Sequence, residues 1–102
     1  MTQDRDPIAD TLKEMETLLK RKNHDYASNN NPFSNFVHAA AVAGITVEQV
    51  FLAIMGIKIA RLLELTSSGK TPNNESIRDT RIDLANYATL NAAFHDFGAK
   101  NA

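Results

Sequence analysis

The sequence predicts an all-α fold: a four-helix domain with an antiparallel hairpin of the third and fourth helices, completed by oligomerisation. Three observations carry this. No run of Val, Ile, Thr and aromatic residues alternates between turn residues, so the signature of a strand is missing. Helix-start and helix-stop residues recur along the chain instead. The last two helices are apolar on more than one face, which four helices of this size cannot bury by themselves.

The first helix opens at Asp6-Pro7, an N-cap followed by proline at the first helical position. Ile8, Leu12, Met15, Leu18 and Leu19 then recur at helical spacing, and the pattern fades near Lys22. The polar stretch from Lys22 to Phe33 is dense in turn residues and reads as a loop. Asn31-Pro32 starts a short second helix, with Phe36, Val37 and Ala40 on one side and Gly44 as its stop. Thr46-Val-Glu-Gln49 matches a capping box and opens the third helix, expected over 47–66. Ser67 to Asn74 is a turn-rich connector, with Asn74 capping a fourth helix that reaches Phe97 and stops at Gly98. Residues 1–6 and 99–102 are expected to fray.

A chain of 102 residues suits one domain, here 1–102. Eleven basic residues against twelve acidic ones argue against a general nucleic-acid binder, which carries a basic excess. No segment approaches the length of a membrane span, and the acidic, polar start MTQDRDPIAD does not read as a signal peptide. The absence of cysteine removes thiolate chemistry and fits a reducing, cytoplasmic setting. His24, His38 and His95 share no zinc-ligand spacing. The doubly apolar third and fourth helices predict a homo-oligomer, most simply a dimer.

Two regions carry candidate chemistry. Across the predicted hairpin, Glu64 falls level with Glu75, Arg61 with Asp79 and Lys58 with Asp83. This polar stripe reads in three ways: as an ion-pair ladder that sets register, as Mg²⁺ ligands Glu64, Glu75, Asp79 and Asp83, or as a phosphate site in which the acids orient Lys58 and Arg61. The second region is the polar loop, where Lys22 can meet a phosphate, Tyr26 and Phe36 can stack a base, and asparagines such as Asn35 can read its edge. The bland alternative is a solvated connection.

Lys22-Asn-His-Asp25-Tyr26, Asn35-Phe36, Ile57-Lys58-Ile-Ala-Arg61-Leu62 and Glu75-Ser-Ile-Arg-Asp79-Thr-Arg-Ile-Asp83-Leu-Ala-Asn-Tyr87, in that order, resemble a family of small phage nucleotide-modification-associated domains. These are distantly similar to the all-α, MazG-like nucleotide pyrophosphatases. The resemblance implies an all-helical fold, phage origin and nucleotide handling. A glycine usually follows the Asp-Tyr pair in that pattern, and Ala27 stands there here. The third helix carries only Glu64 of the glutamate cluster that MazG-type enzymes use for metal.

The first functional expectation is therefore a nucleotide-binding protein without turnover or cofactor, a trap for a nucleotide or cyclic-nucleotide defence signal. Lys22, Lys58 and Arg61 would hold phosphate, Tyr26 and Phe36 the base, and Asp79 and Asp83 would orient the cations. The second is a Mg²⁺-dependent pyrophosphatase on Glu64, Glu75, Asp79 and Asp83. The third is a structural or partner-binding helical module.

Overall fold

The computed structural model describes residues 5–26, 31–68 and 74–98, with the side chains of 23–26 and 74–76 outside that description. Four α-helices follow one another: α1 (Pro7–Tyr26), α2 (Ser34–Ala43), α3 (Val47–Ser67) and α4 (Asn74–Ala93), then a π-helical turn over Phe94–Gly98. No strand occurs among the described residues.

The Asp6 carboxylate accepts from the backbone N–H of Ile8 at 3.0 Å and of Ala9 at 3.2 Å, so it caps α1 as its sequence position suggests. Of the expected frayed ends, 1–4 and 99–102 lie outside the described residues, while Arg5 reaches Asp10 at 3.2 Å and Asp6 is held by its cap. The expected loop begins too early. Lys22 to Tyr26 are helical, because the stretch Lys-Asn-His-Asp-Tyr holds neither glycine nor proline and its weak helix formers each cost only about 0.7 kcal/mol or less. The connecting residues 27–30 lie outside the description.

α2 ends where Gly44 adopts a left-handed φ of 71°, a conformation that costs a side chain energy and glycine little. The capping box of α3 is complete: Gln49 N–H donates to Thr46 Oγ1 at 3.0 Å, and Thr46 N–H donates to Gln49 Oε1 at 2.9 Å. Between the end of α2 and the start of α3 the chain turns by 98°. The expected α4 differs at its end, where the α-helix gives way to the wider π turn after Ala93. That turn carries Phe94 into the core and sets His95 Nε2 3.1 Å from Glu48 Oε2 on α3.

α3 and α4 form the predicted antiparallel hairpin. Lys58 Nζ lies 3.1 Å from Asp83 Oδ2, and Arg61 Nε donates to Thr80 Oγ1 at 3.2 Å. Three residues up α3 thus match three residues down α4. The Lys58 pairing is the one expected. Arg61 meets buried Thr80 rather than its neighbour Asp79, which is exposed.

The core is aromatic. Phe33, Phe51 and Phe94 are buried together, with Phe36, Val37, Tyr87 and Leu90 packed around them. The Phe36 ring lies 4.5 Å from Phe51 and meets Tyr87 edge-on at 6.2 Å. This core is small for so apolar a chain. Leu52, Ile57, Ile59 and Leu63 of α3 and Val42 of α2 are exposed. The radius of gyration is 15.8 Å, where a compact chain of this length has about 13 Å. No single helix among the described residues is long and apolar enough to cross a membrane.

Candidate functional site

α1, α2 and α4 enclose a groove of about 650 Å³, within the roughly 300–1,000 Å³ usual for small-molecule sites. Leu19, Lys20 and Lys22 of α1 form one wall. Pro32, Phe33, Asn35 and Phe36, at the start of α2, form the second. Asn86, Tyr87, Thr89, Leu90 and Ala93 of α4 complete it. The lining is chiefly apolar with a few polar groups.

At one edge of the groove stands an ion triad. Lys22 Nζ lies 3.1 Å from Asp83 Oδ1, and Lys58 Nζ lies 3.1 Å from Asp83 Oδ2. Helices α1 and α3 each supply a cation to the single carboxylate of α4. Two positive charges against one leave a net positive site. Burial pushes the Asp83 carboxyl up, but the hydrogen bonds and charges of Lys22 and Lys58 outweigh it and hold it below its ordinary value. A depressed carboxyl contributes stability above its unfolded pKa, and that contribution is lost as pH falls through the folded value. The triad should therefore support the fold at neutral pH and release it below about pH 4. Asp83→Asn removes the titrating group. Denaturant midpoints of both proteins should differ at pH 7 and converge in acid, and a constant difference would show that Asp83 is uninvolved.

The sequence-derived residues divide. Lys22, Asn35 and Phe36 line the groove, and Lys58 and Asp83 join it through the triad. Phe36 is both groove wall and core, so it offers less free ring than a loop aromatic would. Arg61, Asp79 and Glu64 are exposed and do not line the groove. The side chains of Tyr26 and Glu75 lie outside the described residues. No three His, Asp or Glu side chains gather as a metal cage among the described residues, and both oxygens of Asp83 already face lysines.

Nine of the lining residues were not among the expected ones, Asn86 and Tyr87 included. Asn86 is buried at 4% exposure, and neither carboxamide atom has a hydrogen-bond partner among the described residues. A signal for it existed in the sequence: Ile82, Asn86, Leu90 and Phe94 repeat every four residues, a stripe in which asparagine is the odd member.

No family model, curated protein or solved structure matches the chain.

Proposed function

We propose that this chain binds a nucleotide without turnover and acts as a trap, in the phage setting implied by its sequence resemblance, for a nucleotide signal of host defence. The observation that supports this most is the joining of two chemistries in one place. A largely apolar groove edged by Phe36 and Tyr87 suits a base, and the Lys22–Asp83–Lys58 triad at its rim suits a phosphate. Lysine holds phosphate as a point charge, and Asp83 keeps both ammonium groups aimed until an anion arrives. The trap needs no metal. It works as a homo-oligomer, at least a dimer, in which the exposed apolar residues of α2 and α3 are covered.

Incubation with a nucleotide panel, with and without Mg²⁺, followed by analysis of what remains, tests this reading. The expected result is an intact nucleotide recovered with the protein in either buffer. Conversion to monophosphate and pyrophosphate would establish the pyrophosphatase instead, and neither binding nor conversion would leave a structural module. Mass measurement on the same samples should give a dimer or larger species.

A further inference from the structure

The outer face of α3 is a surface that the groove does not use. Leu52, Ile59 and Leu63 are 53%, 47% and 64% exposed, and Ala53, Gly56 and Ala60 among them are exposed as well. At about 3.6 residues per turn these six form one strip along the helix. The strip lies opposite the side on which Phe51 meets Phe36 of α2 and Lys58 meets Asp83 of α4. It holds no charged residue, and Gly56 stands at its middle. Glycine weakens a helix interior relative to alanine, and a Cβ at 56 would meet nothing within 4 Å, so packing among the described residues does not call for it. A flat place on a helix does let a second backbone come close. The order of sizes is also self-complementary. When a second α3 crosses antiparallel at Gly56, positions equally far from the glycine face one another. Leu52 then meets the partner's Ala60, and Ala53 meets the partner's Ile59, a large side chain on a small one each time. A parallel pair would instead set leucine on leucine and isoleucine on isoleucine, with a gap at the glycine. A helix face that lies on a membrane is flanked by Lys and Arg. Beside this strip Glu64 stands with Arg61, so the flank is not cationic.

We propose that α3 packs antiparallel against α3 of a second copy of this chain, on a two-fold axis at Gly56. The proposal rests on the homo-oligomer of the reading above, and not on its ligand, and it names the contact. A two-fold contact of this kind uses the same patch on both copies and so closes at two. Because the strip faces away from α4, each copy keeps its own groove between α1, α2 and α4, complete and outside the contact.

The chain has no cysteine, so single cysteines report the contact without background. Wild type should sediment as a dimer at micromolar concentration. Gly56→Cys should form a disulfide-linked dimer under mild oxidation, because the two copies of that position adjoin. Leu52→Cys should not, since its counterpart lies about eight residues, or about 12 Å, along the helix, beyond the roughly 7 Å between Cα atoms that a disulfide spans. Leu52→Glu changes an exposed position, so it should keep the far-UV circular dichroism of wild type. It should weaken the dimer by about a hundredfold or more, because two unpaired carboxylates enter the contact. Should Gly56→Cys fail to fold, mixing Leu52→Glu with Ala60→Lys decides. Only the antiparallel contact sets those two charges together, and a mixed dimer should return. A wild type that stays monomeric, or that floats with phosphatidylglycerol vesicles instead of pairing, overturns the homo-oligomer and this inference together. A dimer that Leu52→Glu leaves intact, cross-linking of Leu52→Cys, or no mixed dimer from the two charged variants overturns the α3 contact alone.

Discussion

Phe51→Ala should leave the isolated chain largely unfolded at ordinary temperature. Phe51 is fully buried, and its ring lies 4.5 Å from Phe36, which in turn meets Tyr87. Truncating a buried phenylalanine costs about 3–5 kcal/mol, made up of lost transfer energy and the cavity left behind. A domain of this size has a total stability of only about 5–15 kcal/mol, and this one has few other buried side chains to share the loss. Circular dichroism during thermal melting reads the effect directly. A variant melting within a few degrees of wild type would show that the cluster can collapse around the gap. Phe51→Leu, which keeps most of the volume, should retain most of the fold.

The second large effect concerns the triad. Lys22→Met should weaken binding of a nucleoside monophosphate by about ten- to a hundredfold, since a charge-assisted bond is worth about 1.5–3 kcal/mol. Binding of the matching nucleoside, which lacks the phosphate, should barely change. The free protein should also melt almost as before, because Lys58 remains 3.1 Å from Asp83 and the Lys22 side chain is 44% exposed. Equal losses for nucleotide and nucleoside would mean that Lys22 acts through the shape of the groove rather than on phosphate.

The parts of this molecule readable from sequence are those fixed by local chemistry. Gly44 and the Thr46–Gln49 box each fix a boundary through backbone hydrogen bonds or dihedrals within a few residues. Lys58 and Asp83 were legible for a related reason: Lys58 is a charge on a mostly apolar helix, and an antiparallel hairpin brings Asp83 level with it. Register across a connector is fixed this way only to about a residue, because the crossing angle of two helices is not a local property, and so Arg61 found Thr80 rather than Asp79. Lys22 joined the same carboxylate only because α1 continues past it, where propensity and tertiary contact outweigh a turn-rich composition. The groove itself was not legible. Three separate helices make its walls, and their mutual placement follows from packing of the aromatic core rather than from any one segment.

The attachment of α1 has a kinetic consequence. α1 meets the rest of the molecule chiefly along α4, buries Met15 and leaves Ile8 and Leu12 exposed. It is therefore the element that separates at the least free energy, and its amides should exchange with solvent hydrogen sooner than those of α3 and α4. Yet this loosely seated helix supplies a full wall of the groove, Lys22 included. An occupant held between α1 and α4 would bridge them and so oppose the lifting of α1. Filling the groove would then slow hydrogen exchange in α1 more than in α3, so the protection of one helix would report occupancy.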